Sequence, residues 1–158
     1  MLVFSTRGWE DVLVMRIVVC VKQVPDPDIP NSAFHVDSTS RTVKKSPSIP
    51  SIVNGFDENA VEAALRIKDE IEANIIVLSV GDDFETDVVK KPIAMGADEL
   101  ILIQDKIVAN LDSFGTAHVI ERAISKLAGV DLILCGRQAS DWDNAQTPLC
   151  LAEMLKVP

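Results

Sequence analysis

Tyrosine is absent from this 158-residue chain, and aromatic residues make up only 4% of it. Any core must therefore be packed mainly with aliphatic side chains. Cysteine is scarce as well. The three present, Cys20, Cys135 and Cys150, are widely spaced, odd in number and form no CxxC, which excludes a disulfide framework and makes a reducing cytoplasm the expected setting. Positive charge is short: 15 Lys and Arg stand against 24 Asp and Glu, a net charge of −9. Nucleic-acid binding needs clustered cations to neutralise phosphates, and Lys44-Lys45 and Lys90-Lys91 are too sparse to supply them. No segment approaches the roughly 20 apolar residues of a membrane span. Arg7, Glu10 and Asp11 interrupt any signal-peptide core in the first 14 residues. The P-loop lysine motif, a GxGxxG after the first strand and a GxSxG elbow are all missing.

What is present is an alternation of apolar runs and amphipathic stretches. Hydrophobic residues reach 47% and mean hydropathy is +0.21, enough for one domain with a filled interior. A second methionine, Met15, directly precedes the strand-like run Arg16–Val21, so Met1–Val14 reads as an extension and residues 15–158 as the domain. Lys22–Ser51 is polar and proline-rich, with a short hairpin expected between Phe34–Asp37 and Arg41–Val43. Asp57 reads as the N-cap of a helix to about Ala73. Ile75–Val80 reads as a strand ended by Gly81. A helix follows over Thr86–Met95, irregular at Pro92 and stopped by Gly96. Glu99–Gln104 and Asp131–Cys135 read as strands, Asp112–Leu127 and Leu149–Leu155 as helices. Continuous apolar strands alternating with helices mean a parallel sheet covered on both faces, a doubly wound α/β domain.

Ligands of open parallel sheets bind beyond the carboxyl ends of the strands, where the strand order switches. The richest such segment is Gly136–Thr147, small and polar between a strand and a helix, where backbone N–H groups can cradle a phosphate. Cys20–Asp26, Ser79–Gly81 and Val53–Asp57 flank it as further candidates. Taken singly, Gly81, Gly96 and Gly136 read as turn glycines, and the cysteines as packing residues. His35 and His118 lack partners at metal-ligand spacing. Asp141 and Asp143 form the nearest thing to a carboxylate pair, but no nucleophile accompanies them, and loop bracing or helix capping is the economical role. The sequence offers a nucleotide site without a catalytic constellation.

Four segments in order, Val19–Asp26, Val53–Leu65, Ala94–Asp98 and Gly136–Asp141, resemble the beta subunit of electron transfer flavoproteins. The resemblance implies a Rossmann-like, three-layer, adenine-nucleotide-binding fold. It also implies a cofactor, AMP or FAD, and an alpha subunit partner. The pair would carry electrons between a flavin dehydrogenase or ferredoxin-type redox partner and an acceptor, with a homodimer possible where alpha is absent. Carried over by position, the cofactor-binding residues are Cys20, Asn54, Gly55, Phe56, Asp57, Val80, Gly136, Arg137, Gln138, Ala139, Ser140, Asp141, Asp143, Asn144, Ala145, Gln146 and Thr147. Gly55 stands where the family usually has proline. Ala145 precedes Gln146 where many AMP-binding members have asparagine, a feature of the electron-bifurcating, FAD-binding style. Family members continue well past the position of Pro158, so nucleotide binding without complete electron transfer is the expectation. The alternative is a stand-alone module of the universal-stress-protein kind, but its Gly-x₂-Gly-x₉-Gly-Ser/Thr signature is missing. The Ser-Gly-Gly-x-Asp-Ser loop of ATP pyrophosphatases is missing too.

Overall fold

The computed structural model describes residues 14–33, 35–39, 42–43 and 49–158. The extension, apart from Val14, lies outside them, as do Phe34, Ser40 and Arg41 of the expected hairpin. The first apolar run forms β1, Met15–Cys20, whose centre, Ile17 to Val19, is fully buried. Strand β2, Gln23–Pro25, follows at once. Strands β3, Val36–Asp37, and β4, Thr42–Val43, pair antiparallel as the expected hairpin. Strand β5, Ser51–Val53, returns to pair antiparallel with β2. That small ribbon was not foreseen, because Pro25 at the strand end argues against pairing and only an edge tolerates it.

Helix α1, Gly55–Glu70, starts two residues before the anticipated cap. Its N-cap is Asn54, and Asp57 sits buried in its first turn. Val61 and Ala64 have no exposed surface. Strand β6 is Ala73–Gly81, so the helix ends before Ala73, which already belongs to the sheet. The anticipated helix Thr86–Met95 is instead two short ones, α2, Thr86–Val89, and α3, Lys91–Met95. The cause is Pro92: it has no N–H to continue α2 but fits the first turn of α3. Gly96 closes α3 with φ of 126°, a conformation open to glycine. Strand β7, Glu99–Gln104, helix α4, Ser113–Ile124, strand β8, Leu132–Cys135, and helix α5, Thr147–Leu155, complete the chain. Asp112 caps α4 by accepting from the Gly115 N–H at 2.8 Å.

Among the described residues, four strands build the main sheet in the order β7-β6-β1-β8, all parallel. Chain order runs outward from β1 through β6 to β7, then returns to the other side of β1 for β8. The switch point is therefore between β1 and β8. One face carries a core of Ile17, Val19, Ile75 and Val77 under Val61 and Ala64 of α1. The other face packs Val18, Ile76 and Leu78 under Ala117, Ile120 and Ile124 of α4 and Leu151 of α5. Central strands buried on both sides and half-exposed edge strands are what a doubly wound sheet requires. No helix among the described residues is long and apolar enough to cross a membrane.

Candidate functional site

At the switch point the ends of β1 and β8 lie side by side, with Cys20 in register with Cys135. The chain leaves β1 through Lys22 and leaves β8 through Gly136, and α1 begins over both exits. Asp57 joins them. Its Oδ2 accepts from the Lys22 N–H at 2.8 Å and its Oδ1 from the Gly136 N–H at 3.1 Å. The carboxyl is only 6% exposed, and burial pushes its pKa up to about 6 despite the hydrogen bonds that favour its charge.

Gly136 is a glycine for reasons of space. A Cβ there would sit 2.7 Å from the Phe56 carbonyl carbon and 2.8 Å from the Asp57 nitrogen, both main-chain atoms. The first turn of α1 thus rests directly on the end of β8. The reading of Gly136 as a turn glycine is corrected: close approach demands it.

Asn54, 1% exposed, does not cap its own helix with its side chain. Its Nδ2 donates to the Gln138 carbonyl at 2.8 Å, and its Oδ1 accepts from the Ser140 N–H at 3.2 Å. Its main-chain N–H donates to the Lys22 carbonyl at 2.9 Å. One buried amide therefore pins the loop after β8 to both α1 and the β1 exit. Lys22 closes the clasp from the other side, its Nζ bonding both Asp141 carboxylate oxygens at 2.7 and 2.8 Å. Within the loop, Gln138 Nε2 donates to Asp143 Oδ1 at 2.6 Å, and the Asp143 N–H to the Ala139 carbonyl at 2.8 Å. Both aspartates brace, as the sequence suggested.

The loop backbone is unusual. Asp143 and Ala145 each have φ of 52°, flanking Asn144, and Gln146 follows at −106° in the right-handed region. Left-handed residues without glycine are uncommon and persist where surroundings impose them. Alternation of φ sign along successive residues is also the geometry of an anion-binding nest of N–H groups. Helix α5 starts straight after it, with Pro148 in its first turn.

A cavity of about 1480 Å³ runs along this carboxyl edge, from the β2–β5 ribbon to α4. Of the residues anticipated for the site, Cys20, Asn54, Asp57, Val80, Gly136, Gln138, Ala139, Ser140, Asp141, Asn144, Ala145, Gln146 and Thr147 line it. Gly55, Phe56, Arg137 and Asp143 do not. Phe56 instead receives the Arg137 guanidinium over its ring, 5.8 Å from the centroid. The hydroxyl of Ser140 is buried without a hydrogen-bond partner, which suits a group that awaits a ligand oxygen. Cys20 keeps its proton, since its thiol pKa is pushed up by its hydrogen bond with Cys135 and by burial. That fits packing rather than nucleophilic work. Among the described residues no cluster of His, Cys, Asp and Glu could hold a metal ion.

Lys22 and Trp142 lie inside the candidate segments Cys20–Asp26 and Gly136–Thr147 but were not singled out as cofactor-binding residues, and Asp82–Glu85 lies just beyond the candidate Ser79–Gly81; all line the cavity. No local signal marks Lys22, whose partner Asp141 is 119 residues away.

Residues 47–158 match the family described as the electron transfer flavoprotein domain. The electron transfer flavoprotein subunit beta of Megasphaera elsdenii is 40% identical over 151 residues, covering 91% of this chain and 54% of that protein. The caffeyl-CoA reductase-Etf complex subunit CarD of Acetobacterium woodii is 40% identical over 145 residues, covering 91% and 53%. Protein FixA of Azorhizobium caulinodans is 32% identical over 145 residues, covering 89% and 50%. The chain spans about half the length of these curated relatives.

Proposed function

The chain belongs to the electron transfer flavoprotein family, and from that premise we propose that it is a beta-type component holding an adenine nucleotide at the β1–β8 switch point. The observation that carries this is the pair of buried side chains Asn54 and Asp57, which fix an unusually folded small-residue loop against the open end of the sheet. A rigid loop with left-handed residues beside a helix start is a preorganised phosphate cradle. Ser140 lines the same cavity, and its buried hydroxyl has no partner within the protein.

The main chain of Gln138–Thr147 and the Ser140 hydroxyl would hold the phosphates. FAD is favoured over AMP by Ala145 before Gln146, where the resemblance gives many AMP-binding members an asparagine, and the cavity of about 1480 Å³ has room for the larger ligand. A flavin, when bound, supplies reversible electron transfer, and the protein's part is binding, orientation and electrostatics. No nucleophile or acid–base pair is needed for that role, in keeping with a protonated Cys20. An alpha-type subunit and a redox partner of the flavin dehydrogenase or ferredoxin kind complete the proposed assembly. Family membership favours this reading over a stand-alone module of the stress-protein kind.

Trp142 lines the cavity and is 70% exposed, so it reports on occupancy. With Trp9 replaced by phenylalanine, titration with FAD should quench Trp142 fluorescence saturably, and AMP should compete. Unchanged emission, with no binding in equilibrium dialysis, would overturn the proposal.

A further inference from the structure

Among the described residues lining the cavity there are six carboxylates, Asp57, Asp82, Asp83, Glu85, Asp112 and Asp141, and a single Lys or Arg, Lys22. A phosphate entering between those carboxylates is drawn to Lys22, the cation among the described lining residues. The cation already holds an anion, because Lys22 Nζ grips both oxygens of Asp141. We propose that this pair is a latch. Asp141 occupies the place of a ligand phosphate on Lys22, and an incoming phosphate displaces it to bind the same ammonium.

Three observations carry the proposal. Two carboxylate oxygens on one ammonium imitate the contact a phosphate would make. The main chain of Lys22 is fixed on both sides, its N–H by Asp57 and its carbonyl by the Asn54 N–H. The side chain can therefore change partner while its root stays in place. Exposure is also uneven: the Lys22 side chain is 43% exposed and that of Asp141 18%. The ammonium is thus the accessible member of the pair. The two linked phosphates of FAD carry one negative charge each and together bring two charges near the cation, against the one of Asp141. The exchange breaks no covalent bond and moves no electron.

The latch rests on the nucleotide reading for its ligand, but inorganic pyrophosphate tests it separately. Affinities of wild type, Asp141→Asn, Lys22→Gln and Lys22→Arg for pyrophosphate and for FAD would be measured by calorimetry at several salt concentrations. Asp141→Asn should bind pyrophosphate about tenfold more tightly, since the competing anion is gone. Lys22→Gln should bind about tenfold more weakly with a flatter salt dependence, and Lys22→Arg should restore most of the loss. The double variant should bind no better than Lys22→Gln alone. Far-ultraviolet circular dichroism would verify that each variant keeps the fold, which is expected because exposed ion pairs add little stability. Asp141→Asn binding no tighter than wild type, or Lys22→Gln keeping wild-type affinity and salt slope, would overturn the latch. Pyrophosphate binding that follows the expected order without FAD or AMP binding would keep the latch and sink the nucleotide reading. FAD binding indifferent to all the variants would do the reverse, and no binding of any ligand would overturn both.

Discussion

Gly136→Ala should loosen the junction on which the whole site is built. The new methyl would lie 2.7 Å from the Phe56 carbonyl carbon and 2.8 Å from the Asp57 nitrogen, whereas carbon contacts settle at about 3.5–4.0 Å. Main-chain atoms of a helix turn cannot swing aside like the end of a side chain. The first turn of α1 and the end of β8 must part by roughly 1 Å to reach ordinary contact. Parting them breaks the bond from the Gly136 N–H to Asp57. Overpacking typically costs about 1–3 kcal/mol, and losing a hydrogen bond to a charged group about 1.5–3 kcal/mol. A loss of about 3 kcal/mol is the expected outcome, which lowers Tm by roughly 6–12 °C for a chain of this size. Gly55 is the internal control. It opens α1, and a Cβ there would meet nothing within 4 Å. Gly55→Ala should be neutral or stabilising by about 0.4–1 kcal/mol. Thermal melts followed by circular dichroism separate the two, and equal Tm values for both variants would refute the close-approach argument.

Further predictions concern the clasp. Asn54→Ala strands the Gln138 carbonyl and the Ser140 N–H, so urea unfolding should show a loss of about 2–4 kcal/mol for two unpaired groups. Asn54→Asp should not rescue it, because the Gln138 carbonyl would then face a second acceptor. Asp57, with its pKa raised from 3.8 to about 6 chiefly by burial, binds its proton more tightly in the folded chain. Its contribution to stability is therefore full below about pH 4, falls as pH rises towards 6 and is lost above that, a change of about 3 kcal/mol. Urea unfolding from pH 4 to 7.5 should show this slope in wild type and not in Asp57→Asn, whereas parallel profiles would remove the burial account. Ala139→Leu fills the cavity wall and should reduce nucleotide occupancy without lowering Tm; full occupancy would misplace the phosphate.

The main sheet was legible because β1 and β6 are β-branched runs too long and too apolar to sit anywhere but the centre, and α1 and α4 show clear stripes. Pairing of β2 with β5 was not, since three-residue strands carry no periodicity and Pro25 argues against them. The split of the helix at Lys90 was half-visible in Pro92. At the site, the loop from Gly136 announced itself through its small residues, but the reasons for Gly136 and Asn54 did not. Both act across contacts separated by about eighty positions in the chain, Asp57 to Gly136 and Asn54 to Gln138. Asp57 looked like a cap because caps are local, and the carboxylate was in fact used to join two strand exits. Lys22 stood inside the candidate segment Cys20–Asp26, but its role was hidden for the same reason, its partner Asp141 lying 119 residues away.

An adenine nucleotide in the β1–β8 crevice is open to direct test. Denaturing the purified chain and identifying what it releases by chromatography and mass spectrometry tests this most directly. FAD is the expected product, released from wild type and much reduced from Ala139→Leu. A chain that releases neither FAD nor AMP, and takes up neither on titration, would contradict it.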